Sequence, residues 1–295
     1  MSQTKDSLQR FMFEDKNIRG ELVQLKQSFT EVLQTKHYPQ CVQVLLGELL
    51  AASSLLTATL KFEGDITVQI QGDGPLSFAA VSGDHLQQLR GTARYEEELV
   101  EDLSFTELVG KAHIVITISP TKGERYQGIV AIDPRGLAQS LEAYFAQSEQ
   151  LPTRIWLYTL LGKDSSHCGG QLLQVLPGES EQSSEQLEDL SQLANTLRAE
   201  ELFGLSNQDA LYRLYHQEEV QLYEPLDVSF KCTCSSQRCE NALHSMDIKE
   251  LLAVCSETGA VVMHCDFCSK EYRFNAEDIE LLFNKTTTEN NPQIH

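Results

Sequence analysis

Phe230-Lys231-Cys232-Thr233-Cys234 and, after the thirty residues 235–264, Cys265-Asp266-Phe267-Cys268 are the stretches whose reading decides how this chain is built. Each is a pair of cysteines close in sequence. Together they offer four thiolates, the number a tetrahedral zinc ion takes at about 2.3 Å per Zn–S bond. The intervening chain is long enough to fold back and bring the pairs together. Cys232, Cys234, Cys265 and Cys268 are therefore the expected ligands of one zinc ion per reduced chain. They define a small zinc-binding domain over 231–286, with 287–295 expected as a disordered tail. The N-terminal residues MSQTKDSLQRFMFEDK carry charge throughout and lack the apolar run of a secretory signal, so a reducing cytosol is expected. There, crowded cysteines serve metals or redox chemistry more readily than structural disulfides, four unligated buried thiols being the plainer alternative.

The other cysteines read as bystanders. Cys239 lies in SSQRCENAL, which looks like a helix capped by Ser235 or Ser236 and packs rather than ligates, and Cys255 is read the same way. Cys41 falls within an apolar helix and Cys168 in a Ser/His/Gly loop. His264 abuts Cys265 and is given no ligand role, because a sequence neighbour generally does not reach the same metal. A closed four-thiolate site is most often purely structural. Three features point instead to redox chemistry: C-x-C allows a strained, readily reduced disulfide; Lys231, Arg238 and Lys270 flank the thiols and favour thiolate; and losing a metal worth about 10–16 kcal/mol to a small domain unfolds it.

N-terminal to the cysteines, residues 178–230 hold twelve acidic side chains against only Arg198 and Arg213, so half of the chain's formal charge of −20 sits there. Leu187, Leu190, Ala194 and Leu197 nevertheless form a helical stripe, started by Ser183 or Ser184 and closed by Gly204. Ser206 and Asp209 resemble a capping box before Leu211, Leu214 and Tyr215. Two readings compete, an ordinary solvated connector and a conditional helical linker whose self-repulsion leaves it dependent on a neighbouring support.

Residues 1–177 read as a mixed α/β core domain of hairpins and helices, which makes the chain α+β. Leu22, Leu25, Phe29, Val32 and Leu33 recur at helical spacing, and the Ala- and Leu-rich run from Gln40 to Leu60 reads as a helix buried on all sides. Ile66, Val68 and Ile70, the turn Gly72–Pro75 and Leu76 to Val81 make one hairpin; His113–Ser119, the turn Pro120–Gly123 and Tyr126–Ile132 make a second. A helix over Leu137–Phe145 and strands over Ile155–Leu160 and Leu172–Leu176 complete the domain.

Composition excludes several functions. No stretch has about 18 uninterrupted apolar residues, so no membrane role is expected. The net charge of −20 argues against a nucleic-acid partner, and no Walker A, G-x-S-x-G or H-E-x-x-H motif supports an enzyme. The enzymatic alternative is a thiol–disulfide oxidoreductase using Cys265 and Cys268, which lacks the βαβ context such a pair needs.

FKCTCS at 230–235 and MHCDFC at 263–268 match the signature of the bacterial redox-regulated 33-kDa heat-shock chaperones, the 33 kDa chaperonin family. IRGELV at 18–23, SLLTATLKFEGDITVQIQGDGP at 54–75, ERYQGIV at 124–130, SEQLPTR at 148–154 and YRLYHQEEV at 212–220 also match, so the chain resembles that family over essentially its whole length. The resemblance implies zinc on Cys232, Cys234, Cys265 and Cys268 when reduced, and Cys232–Cys234 and Cys265–Cys268 disulfides with metal release when oxidised. It implies an ATP-independent holdase for unfolded client proteins that is a homodimer when active, with 178–230 as a metastable linker. Of the two bridges, C-x-x-C closes in the more relaxed turn and is expected first. Cys41, Cys168 and Cys255 are not part of the family motif.

Overall fold

The computed structural model describes residues 5–59, 63–100, 102–163, 165–178 and 181–289. It divides into two compact units, Met1–Lys231 and Cys232–His295.

The first unit is built around the helix Gln40–Ala58. Its run of good helix formers begins directly after Pro39, whose fixed φ suits the position before a first turn. Being apolar on every side, it needs cover on every side, and two sheets supply it. One runs in the order Val220–Leu222, Ser7–Phe13, Ile18–Leu25, His167–Val175, Thr153–Leu160, all antiparallel, with Leu226–Asp227 also pairing on the Ser7 end. The other runs Ser229–Phe230, Gln88–Tyr95, Leu76–Asp84, Gly64–Gly72, Ala112–Pro120, Tyr126–Ala131, antiparallel except for its first, parallel pair. Leu46, Leu49, Leu50 and Leu55 are fully buried among Val23, Leu25 and Leu172 of one sheet and Val68, Val81 and Leu89 of the other. The helix is long and apolar enough to cross a membrane (mean hydropathy 1.6), but 78% of that window is buried inside the protein.

Both expected hairpins form, with Val68 opposite Val81 and Ile116 opposite Gly128. The stripe from Leu22 to Leu33 does not form one helix: Leu22 and Leu25 lie on the strand Ile18–Leu25, and only Phe29, Val32 and Leu33 lie on the helix Gln27–Leu33. The reason is two-sided burial. That strand faces the central helix on one side and the acidic segment on the other, so its apolar residues do not alternate. The helix start is fixed by Asp6, whose carboxylate accepts from the main-chain N–H groups of Lys26, Gln27 and Ser28 at 2.7, 3.0 and 2.6 Å.

The acidic segment belongs to the first unit. Its helices Glu181–Ala194, Ala199–Gly204 and Asn207–Tyr215 bury Leu187, Leu190, Leu202, Leu211, Leu214 and Tyr215 against Phe11, Phe13, Ile18, Leu22, Leu173 and Val175 of the first sheet. Phe11 lies flat over Gly20, where a Cβ would come within 2.2 Å of the ring, and it stands 6.0 Å from Tyr215. The expected cap at Ser206 forms, accepting from the Asp209 N–H at 3.1 Å. Ser183 and Ser184 lie inside the first helix rather than capping it, and that helix ends at Ala194, leaving Leu197 in the connector before the second helix, Ala199–Gly204. The support for these helices is thus the outer face of a sheet in their own unit, and residues 220–230 are short strands rather than helix.

The second unit packs the helices Ser236–Leu243, Ile248–Thr258 and Ala276–Glu289 around the hairpin Val261–His264 and Glu271–Phe274. Its core is Leu243, Leu251, Cys255, Tyr272, Phe274 and Ile279. The last helix continues through Glu289 into the stretch expected as a tail, and residues 290–295 of that stretch lie outside the described residues.

Candidate metal centre

Each cysteine pair is placed by local structure. Cys232 follows the strand Ser229–Phe230 by two residues, and Cys234 directly precedes Ser235, whose hydroxyl caps the next helix by accepting from the Arg238 N–H. Cys265 ends the strand Val261–His264, and the chain then turns tightly. The Ser269 N–H donates to the Cys265 carbonyl at 2.8 Å, the Cys265 N–H donates to the Lys270 carbonyl at 3.0 Å, and Ser269 takes a left-handed φ of 56°. This turn presents Cys265 and Cys268 on the same side.

The four sulfurs all lie within 4.8 Å of one another. Cys232 to Cys265 and Cys234 to Cys268 are each 3.5 Å. Tetrahedral thiolates at about 2.3 Å from a common ion would stand roughly 3.8 Å apart, so the donor set and its spacing fit a metal ion. All eight cysteines are free thiols, and the short contacts run between the two pairs rather than within them.

Without a cation the four thiols share their protons unevenly. Burial pushes Cys268 up to about 12, reinforced by hydrogen bonds with the other three thiols, and burial likewise raises Cys232. Burial acts on Cys234 in the same direction. There it is outweighed by hydrogen bonds from the Tyr272 hydroxyl and the neighbouring thiols, which bring Cys234 down to about 7. The Tyr272 hydroxyl donates to Cys234 Sγ at 3.0 Å, from a ring that is 8% exposed. The lowering therefore comes from hydrogen bonds rather than from the flanking cations. Lys270 lies over the Tyr272 ring at 5.1 Å, and Arg238 donates to the Thr233 hydroxyl. Tyr272 was not among the expected site residues; its signal is the alternation of Tyr272 and Phe274 in the strand just after the second pair.

The remaining cysteines stand apart from the four-sulfur cluster. Cys239 lies on the capped helix and packs against the small core, while Cys255 is buried with its thiol 3.7 Å from the Phe274 carbonyl. Cys41 is the second residue of the central helix. Cys168 lies on the strand His167–Val175 rather than in a loop, opposite Leu25 and Thr159, and burial raises its thiol well above the ordinary range. His264 faces Glu271 at 3.5 Å. Cys265 and Cys268 occupy a hairpin turn, not the start of a helix after a strand, so the geometry of a dithiol oxidoreductase is not present here.

A family model described as Hsp33 protein matches residues 6–275. A 33 kDa chaperonin of Aeromonas salmonicida is 50% identical over 99% of this chain and 99% of its own length. That of Shewanella woodyi is 52% identical over 96% of this chain and 97% of its own. The crystal structure of a 33 kDa chaperonin from Thermotoga maritima superposes with a TM-score of 0.84 at 23% identity, covering 96% of this chain and 99% of that one, which shows the shared fold.

Proposed function

The chain belongs to the Hsp33 protein family, whose named members are chaperonins, and on that footing we propose that it is a redox-regulated, ATP-independent holdase of the cytoplasm. In the reduced protein Cys232, Cys234, Cys265 and Cys268 hold one zinc ion, which supplies a four-way cross-link to a unit with six core residues. The observation that carries this reading is the convergence of four sulfurs in so small a core. Small metal domains gain about 10–16 kcal/mol from their ion.

Activation is the pairing of these sulfurs. Two equivalents of a peroxide-class oxidant take four electrons from the four thiolates and four protons from solvent and leave as four waters, while the sulfurs become Cys232–Cys234 and Cys265–Cys268 and give up the ion to solvent. Loss of order in this unit passes along the chain itself. Lys231, whose N–H donates to the Leu89 carbonyl at 2.9 Å, is the residue before Cys232, and residues 220–230 are strands laid on two sheet edges. Once these lift, the acidic helices lose their anchor, and apolar surface around Phe11, Phe13 and Tyr215 is opened beside strong negative charge. That combination holds unfolded clients in solution. The active form is a homodimer, and neither nucleic acid nor membrane is a partner.

The test is a light-scattering assay with a thermally unfolding client and no nucleotide. Oxidised protein is expected to suppress aggregation and reduced protein is not. Equal activity of the two forms would overturn the redox reading.

A further inference from the structure

We propose that the outer edge of the strand Ser7–Phe13 is an acceptor site for an extended segment of an unfolded polypeptide, bound by antiparallel strand addition, and that Val220–Asp227 keeps this edge closed. The inference rests on the holdase reading and adds to it a binding edge and a client conformation.

The present occupant shows what the edge accepts. Val220–Leu222 pairs with Phe13–Phe11, and Leu226–Asp227 pairs with Leu8–Ser7. Between these pairs Tyr223, Glu224 and Pro225 stand opposite only Gln9 and Arg10, so the covering strand carries an extra residue and a proline with no N–H to give. The Tyr223 N–H donates to the Arg10 carbonyl and the Val228 N–H to the Asp6 carbonyl, both at 3.0 Å. The even-numbered residues of the strand therefore turn their main chain outward, while the odd-numbered ones pair with Ile18–Leu25. Residues 221–225 are exposed, and the next buried side chain is Val228, just past the covering segment. Main-chain hydrogen bonds run along this cover, with Val220 and Leu226 packed at its ends, and such bonds select extended backbone rather than a particular sequence.

A regular strand without the bulge would pair along the whole of Ser7–Phe13. It would also set alternate side chains beside Phe11 and Phe13, whose rings lie 5.7 Å apart. The covering segment wins while it is tethered, because attachment gives it a high effective concentration. When its tether to the terminal unit slackens, a better-matched strand displaces it.

The probe is a fluorescein-labelled peptide of alternating threonine and valine, titrated by fluorescence polarisation onto the full-length oxidised, metal-free chain. Its fully N-methylated twin keeps the side chains but removes every donor. The expected results are binding to the oxidised form, about tenfold weaker binding of the twin, and renewed hydrogen-exchange protection of residues 8, 10 and 12 when the peptide is bound. Met12→Pro removes one outward N–H and spares the odd-numbered bonds; about tenfold weaker peptide binding by its oxidised form is expected. Should Met12→Pro misfold, exchange on the parent chain decides. Equal affinity of both peptides, or no protection at 8, 10 and 12, overturns the edge site. If aggregation is still suppressed by oxidised protein, the holdase reading stands without it. If oxidised protein neither binds peptide nor suppresses aggregation, both fall.

Discussion

Met1–Lys231 wraps a nineteen-residue helix in two sheets, while Cys232–His295 has a core of six residues beside four sulfurs. The larger unit spreads its stability over many contacts, and no single side chain decides whether it folds. In the smaller one the apolar core is slighter, and an ion held by the four sulfurs would stand in for part of it. A cross-link made of sulfur is open to oxidants in a way that leucine is not, so on the proposed reading the same economy that folds the small unit would make it a sensor.

Removing the ion should break this contrast most sharply. Chelation of the reduced protein, or Cys234→Ser, is expected to abolish amide dispersion for residues 236–289, a loss on the order of 10 kcal/mol to that unit, while the signals of the central helix persist. Unchanged dispersion would show that the six-residue core suffices. The converse is Leu50→Ala in the central helix. It should destabilise the larger unit by about 2–5 kcal/mol, read from its denaturation midpoint, and leave metal affinity unaltered.

A smaller effect sets pH against burial. Glu21 is buried on the inner side of the first sheet; desolvation outweighs the pull of Arg19 and Arg10 and raises its carboxyl to about 7, and Oε2 has no hydrogen-bond partner. The fold therefore binds a proton that the unfolded chain releases near 4.5. Stability from this group is complete below that pH and falls as pH rises through 7. Glu48 on the central helix, raised to about 7 by desolvation alone, acts in the same sense. Glu21→Gln is expected to stabilise the larger unit at pH 8 by on the order of 2 kcal/mol and to leave it unchanged at pH 4; a constant difference across pH would refute this. Smallest is Tyr272→Phe, which deletes the hydrogen bond to Cys234. Metal release to a chromogenic chelator should quicken by roughly tenfold, with the melting of the larger unit unmoved.

What could be read in advance followed the same division. Both hairpins of the second sheet were legible because glycine- and proline-marked turns separate strands with clear side-chain patterns, and the convergence of the four cysteines because the spacing within each pair is local. The cap at Ser206 was legible for the same reason. Ile18–Leu25 and the first half of His167–Val175 were obscured because both of their faces are covered, which erases the period of two; the second half was expected from Leu172 onward. Residues 220–230 do alternate, with Val220 and Leu222 and then Leu226, Val228 and Phe230 as the apolar positions, but the strands are only two or three residues long, and Pro225 and the flanking acidic residues interrupt the pattern. Tyr272 was hidden because its role depends on a sulfur thirty-eight positions away.

The central helix has a consequence for the birth of the protein. Gln40–Ala58 leaves the ribosome long before Thr153–Leu160 and His167–Val175, which cover one of its sides. At typical synthesis rates of about 5–20 residues per second, that interval is roughly 5–20 s. For that time the growing chain presents a largely apolar nineteen-residue segment to the cell with half of its shelter not yet made. A guardian of unfolded proteins thus begins life as one of the chains most in need of guarding.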